Sequence, residues 1–253
     1  SNPATYHTIS GCTVSDTKLE STDDGSWRVG VVVGTANLGQ VTIEDIKATN
    51  TTLKQGTSEV PADDAAKKLY GRFVPGSAAD KTSVLMIDGK VVEGSVNTYV
   101  ASVNGKYYGT LKEAVAAAKD GETVTLLKNV TESITVSAGK TITLNLNGKN
   151  IEVTSGCAIV NKGKLTITGS GNVTAEKAAV ANFPDATATL NGGTYSSSSW
   201  YVIKNLGEMV IDGSVTVKKP DGSTDTSSLI DNGWYGSTDI VASESVTAQA
   251  DKA

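Results

Sequence analysis

Between residues 144 and 232 the chain repeats one short phrase, and that phrase restricts the fold more than any other feature. Gly148, Gly169, Gly192 and Gly213 are each preceded, four and two positions earlier, by an apolar pair: Leu144/Leu146, Leu165/Ile167, Ala188/Leu190 and Met209/Ile211. The residue just before each glycine is polar: Asn147, Thr168, Asn191 and Asp212. Positions two apart on a strand share a face, so each unit offers one inward pair and then a turn. Asn161, Asn182 and Asn205 each follow a glycine of the series by 13 residues. The unit is 21 residues, stretched to 23 by an insertion at Phe183-Pro184-Asp185. A unit this short has room for about three β arcs and cannot bury its own apolar side; stacked units can.

The expected fold is therefore all-β, a right-handed parallel β-helix with a short capping helix over 110–119. Leu146, Ile167, Leu190 and Ile211 are expected to line one interior column, and the three asparagines to form an internal amide ladder from coil to coil. Five or six coils at about 4.8 Å each give a rod roughly 25–30 Å long. After Gly213 the next asparagine in phase, Asn232, comes 19 residues on, past the turn-rich run Lys219–Asp225. Strand-like pairs follow at Leu229-Ile230 and Asp239-Ile240-Val241, and Ala248–Ala253 is expected to fray or to be a linker remnant.

The helix is read from 110–121. Thr110 and Glu113 have the spacing of a capping box. Leu111, Ala114, Val115 and Ala118 form one narrow apolar stripe, and Asp120-Gly121 supplies the stop. So short a helix is marginal alone and must lie on the open end of the β-structure it leads into.

The first hundred residues carry a different self-match. Thr8–Leu19 aligns on Thr42–Leu53 with an offset of 34, placing Ile9, Cys12, Val14 and Leu19 on Ile43, Ile46, Ala48 and Leu53. Val29–Gly34 reads as an apolar strand bounded by glycines, and Pro61–Tyr70 as a helix. Asp88-Gly89 and Asn104-Gly105 mark hairpins. The expected division is 1–100, an N-terminal β-rich region, and 101–253, the β-helix.

Composition agrees with many short strands: 38% hydrophobic and 5% aromatic residues, with Thr, Ser, Val, Asn and Gly abundant. The formal charge of −5 and only two arginines, Arg28 and Arg72, argue against a nucleic-acid partner. No apolar run is long enough for a membrane span. Ser1-Asn2 reads as a cloning remnant, with a leader or further domains expected beyond it. Cys12 and Cys157 are expected to be buried free thiols rather than a disulfide.

About the first 55 residues, with Thr8–Val14 and the Gly-flanked apolar strand Val29–Gly34, are similar to the GLUG-type repeats of bacterial surface proteins, in which such a strand precedes a Thr-Ile-Ser-x-Cys-x-Val strand, and depart from them at Val31, where a second glycine is common. Residues 104–128, Lys140–Lys149 and Ala158–Ile167 look like the opening segment and coils of pectate-lyase-like β-helix domains in bacterial surface proteins. The resemblance implies an exported, adhesin-like protein at the bacterial cell surface, with a carbohydrate or a host surface protein as partner. The alternative is a polysaccharide-acting enzyme, a lyase or glycosidase of the β-helix type.

Catalytic chemistry has little to draw on. The single histidine, His7, has no second histidine to work with. Lyases of this fold resemble it in architecture but need an arginine base, and no arginine follows Arg72. Glycosidases need an Asp/Glu pair. The candidates Asp212, Asp221, Asp225, Asp231 and Asp239 crowd the C-terminal third, where turn roles account for them. The Asp221/Asp225 spacing is not that of an EF-hand loop, so no catalytic residue, metal site or cofactor is assigned. Tyr195, Trp200, Tyr201, Trp234 and Tyr235 concentrate in the last coils. They are either a sugar-stacking platform beside the 219–225 loop or a cap on the C-terminal coil, the cap being the stronger reading from sequence.

Overall fold

The computed structural model describes residues 5–21, 30–37, 39–55, 58–59, 69–74, 83–233, 240–242 and 247–249. The chain divides into two compact units, Ser1–Thr98 and Tyr99–Ala253. Among the described residues strand makes up 54% and helix 4%, and the stacked parallel coils form a β-solenoid of about five turns.

Each coil of the second unit has three strands. The first face stacks Glu122–Leu126, Thr141–Asn145, Lys164–Thr168, the first half of Thr187–Ser197, the first half of Glu208–Lys218, and Ile240–Ala242. The second stacks Ile151–Val153, Asn172–Ala175, the second halves of the two long strands, and Thr247–Gln249. The third stacks Ile134–Val136, Ile159–Asn161, Val180–Asn182, Ile203–Asn205 and Ile230–Asn232. All pairings between coils are parallel.

The interior column is Val124–Leu144–Ile167–Leu190–Ile211, every member essentially inaccessible. Each such side chain contributes about 1.5–3 kcal/mol by leaving water. Leu146 is buried but is not in that column. Gly148 lies in an Asn147-Gly148 turn with both φ positive, so its phase runs two residues late, and Leu144 is the true equivalent of Ile167. The expected column is thus corrected by one strand step. Leu146 instead packs where the chain bends: a Cβ on Gly171 or on Gly193 would come within 3.0 Å of its side chain. Gly192 and Gly213 do not end strands either. They bend the two long strands from the first face to the second, with a bulge at Asn191/Gly193.

The amide ladder is present. Asn161 Nδ2 donates to Asn182 Oδ1, Asn182 Nδ2 to Asn205 Oδ1, and Asn205 Nδ2 to Asn232 Oδ1, each at 2.8 Å. The first three are fully buried. Their amides also bind the turn that follows: Asn161 Nδ2 donates to Gly163 O and Thr187 O, and Asn161 Oδ1 accepts Gly163 N. Buried backbone polar groups need such partners, so the ladder satisfies the chain where it leaves the third face.

The solenoid begins under a lid. The helix spans Leu111–Ala117, shorter than the expected 110–119, with Thr110 Oγ1 accepting Glu113 N. Its stripe Leu111, Ala114, Val115 and Ala118 is buried in the solenoid core. Two side chains from the first coils hold its ends. Glu132 accepts Leu111 N and Lys112 N, and Lys140 Nζ donates to the carbonyls of Val115, Ala116 and Ala118, charges placed as the helix dipole favours. Gly121 has φ +81 but sits in the turn into the next strand, not at the helix end. The hairpin Ala101–Val103/Lys106–Tyr108, turned by Asn104-Gly105, pairs antiparallel with Glu122–Leu126 and covers the first strand edge.

In the first unit the offset of 34 holds across three parallel pairings: Ile9↔Ile43, Val14↔Ala48 and Leu19↔Leu53. Val84–Ile87 adds to Gln40–Glu44 in parallel and turns at Asp88-Gly89 into Lys90–Gly94. Ala36, Val41, Ile43, Leu69, Tyr70, Leu85 and Ile87 form its core. The strand expected at Val29–Gly34 is observed at Val33–Asn37, paired with Tyr70–Val74. The helix expected at Pro61–Tyr70 falls largely on 61–68, outside the described residues, and Tyr70 itself starts a strand. Both cysteines are free, but Cys12 is exposed and Cys157 half-buried; both sit at bends between strands rather than in them. Ala248 and Gln249 lie in a strand rather than in a frayed end, and 250–253 fall outside the described residues.

Asn182→Ala strips a partner from Asn161 Nδ2, from Asn205 Oδ1, and from the carbonyls of Ala186 and Glu208. The expected loss is about 3 kcal/mol, read as a lower urea midpoint; a loss under about 1 kcal/mol contradicts a structural ladder.

Candidate functional site

The five aromatics singled out in the sequence do not form one group. Tyr195 points inward: it is fully buried, in register with Val173 and Val217, and its hydroxyl donates to Gly192 O at 3.0 Å. Burial pushes its hydroxyl well above the ordinary tyrosine value. It is a core residue, and this corrects its place among the ligand-facing candidates. Trp234 and Tyr235 lie outside the described residues. Trp200 and Tyr201 stand together just before Ile203–Asn205, their ring centroids 5.7 Å apart and tilted by 43°.

Trp200 is 45% exposed and has φ +69. A bulky residue in the left-handed region costs about 1–2 kcal/mol, so neighbouring contacts must hold it there. They come from both sides along the stack. Ser199 N donates to Glu176 O, and Ser199 Oγ to Glu176 Oε1 at 2.8 Å. Glu176 also accepts Gly156 N, and these two hydrogen bonds, that from Gly156 first, keep its carboxyl below the ordinary value. From the next coil Lys219, only 5% exposed, donates to Trp200 O, to Asp225 Oδ2 and to Ser227 Oγ. Ser227 N donates to Asp225 Oδ1 at 2.9 Å. The Lys219 ammonium and then the two Ser227 donors hold the Asp225 carboxyl far below the usual carboxylate range. The 219–225 run thus ends in a clamp on the Trp200 backbone whose lysine is buried.

Lys204 projects outward from the adjacent strand, its Nζ 5.8 Å from the Trp200 ring and 5.3 Å from the Tyr201 ring, and it forms an ion pair with Asp231 one coil on. Asp231 is therefore an outward strand residue, not a turn residue, and so is Asp212. Asp221 pairs with Lys218 at 3.3 Å. Asp239 lies outside the described residues. Two tilted aromatic rings lie beside an ammonium and a carboxylate, an apolar surface with polar groups at its rim. Among the described residues no three His, Cys, Asp or Glu gather as a metal site, and no helix is long and apolar enough to cross a membrane. His7 is exposed on Tyr6–Ser10 in the first unit.

What sequence reading missed is the clamp. Its signal was Lys219 beside Pro220 at the head of the inserted run, with Asp225 and Ser227 beyond it. Tyr195 was also placeable, because it shares the phase of Val173 in the coil before.

Fold and site together define a parallel β-solenoid with an exposed tryptophan beside a half-buried tyrosine on one face. No protein-family model, no curated protein and no solved structure matches the chain.

Trp200→Asn relieves the positive φ, which Asn tolerates, so stability should rise by about 0.5–1 kcal/mol in thermal unfolding; a fall of that size refutes strain at Trp200. The Asp225 carboxyl is lowered, so the clamp's contribution is present above the ordinary Asp range and is lost only as pH falls through the lower folded value. With Trp27 and Trp234 replaced by Phe, Trp200 fluorescence should stay constant from neutral pH through the ordinary Asp value of about 3.9 and change below it. A midpoint near that ordinary value is the contrary result.

Proposed function

We propose that the chain is a non-enzymatic adhesion module of an extracellular bacterial cell-surface protein, and that it binds glycans through Trp200 and Tyr201. The observation that carries this reading is the exposed Trp200, kept in an unfavourable backbone conformation by a buried lysine clamp. Strain held in place by surrounding structure concentrates at functional positions. Exposed aromatics with a polar rim are the usual means of meeting a sugar's apolar face. The similarity of residues 104–128 to adhesin-like β-helix domains, and of Thr8–Val14 to GLUG-type repeats, supports the surface setting. The absence of arginine after Arg72 and the single histidine support binding over turnover.

A glycan array probed with the purified chain tests this. Binding to a restricted set of glycans is expected, with affinity reduced at least tenfold, about 1.4 kcal/mol, in Trp200→Ala and in Tyr201→Ala. An array without signal, full binding by Trp200→Ala, or turnover of a polysaccharide by the pure chain each counts against the reading.

A further inference from the structure

Among the described residues, Phe183 and Trp200 are the two aromatic side chains in the exposed large hydrophobic set. Both stand where the repeat is interrupted. Phe183 opens the two-residue insertion that stretches the coil from 21 to 23, and Trp200 is held by the longer insertion of the next coil. Insertions in a solenoid map to loops, often on the binding face.

The Phe183 turn is hydrogen-bonded on both sides. Phe183 N donates to Asn161 O, Ala186 N to Phe183 O, and Asn182 Nδ2 to Ala186 O. In the following coil, a Cβ on Gly207 would lie 2.6 Å from Phe183 O, so that glycine makes room for the turn. Phe183, Pro184 and Asp185 form one wall of a groove of about 560 Å³, and Ala138, Gly139, Lys162 and Lys164 line the rest. Lys162 Nζ stands 5.1 Å from the Phe183 ring centroid. Neither Lys162 nor Lys164 forms an ion pair among the described residues. Asp185 is the one carboxylate in the lining, set against the two lysines. The groove volume suits a small ligand, and the excess of positive charge beside an exposed ring selects an anionic one.

We propose that this groove is a second sugar subsite, one that takes an anionic sugar residue with its ring on Phe183 and its carboxylate or sulfate between Lys162 and Lys164. The inference rests on the glycan-binding reading and narrows it to acidic glycans. The two aromatic stations lie at opposite ends of neighbouring strands on the third face, Phe183 after Val180–Asn182 and Trp200 before Ile203–Asn205. A strand's length, roughly 10 Å, separates them, and one oligosaccharide running along the strands reaches both.

Calorimetry with three hexasaccharides tests the assignment: hyaluronan (carboxylate), chondroitin sulfate (carboxylate and sulfate) and a neutral N-acetylglucosamine oligomer. At least one anionic ligand should bind tenfold or more tighter than the neutral one, and added salt should weaken it. Lys162→Gln/Lys164→Gln should reduce anionic affinity about tenfold, leaving thermal unfolding and neutral-ligand affinity unchanged, and Phe183→Ala should reduce anionic affinity by a similar factor, leaving thermal unfolding unchanged. Preference for chondroitin sulfate over hyaluronan assigns sulfate to the lysine pair; equal affinity assigns carboxylate. Equal binding of neutral and anionic ligands, with loss only in Trp200→Ala, overturns the subsite and leaves the Trp200 reading standing. Anionic binding indifferent to the lysine and Phe183 variants overturns the subsite, as does silence toward all three ligands, with the glycan array then deciding the broader reading.

Discussion

The solenoid depends on a chain of buried amides. A coil of 21 residues closes on itself only if the backbone can turn sharply inside the apolar interior, and a sharp turn leaves peptide groups without strand partners. The carboxamides of Asn161, Asn182 and Asn205 meet that need and at the same time bond to the coil above. One side chain thus settles both the local turn and the stacking register. A leucine at the same position would gain burial but leave turn carbonyls unsatisfied, at a cost of about 1–3 kcal/mol each. The apolar columns supply most of the gain in leaving water, while the amides decide which residue lies over which. Slippage by one residue would put each amide against an apolar neighbour and each leucine outside.

Much of this was legible because the constraints are local and periodic. The interval from Asn161 to Asn182 could be read directly, and so could Asn232 despite a six-residue excess, since only an amide in phase can continue the ladder. The 34-residue match of Thr8–Leu19 on Thr42–Leu53 translated without error into strand pairing, because parallel in-register coils convert sequence offset into spatial neighbourhood. The apolar stripe of the lid helix held for the same reason. Where reading went astray, a glycine was given a single meaning. Gly148 closes a tight turn, whereas Gly192 and Gly213 bend a continuing strand, and the two uses differ by two residues of phase. That difference displaced Leu146 from the column.

The candidate site was less legible because its determinants are long-range and break the period. Trp200 stood out by type, but its exposure depends on Glu176 in the coil before and on Lys219 and Asp225 in the coil after. Composition does not reveal which lysine is buried. Tyr195 illustrates the reverse: an aromatic grouped with Trp200 by proximity in sequence belongs to the core by register. Phase within the coil is a better guide than clustering along the chain.

The antiparallel hairpin at Ala101–Tyr108 closes one end of the stack and the helix seals its interior, whereas each later coil repeats the same contacts to its neighbours. Length is consequently a free variable for evolution in this architecture. Duplicating a middle unit such as 164–186 lengthens the solenoid by one strand spacing while the lid keeps its fit. The number of coils can thus change by gene duplication alone, with the terminal seal untouched.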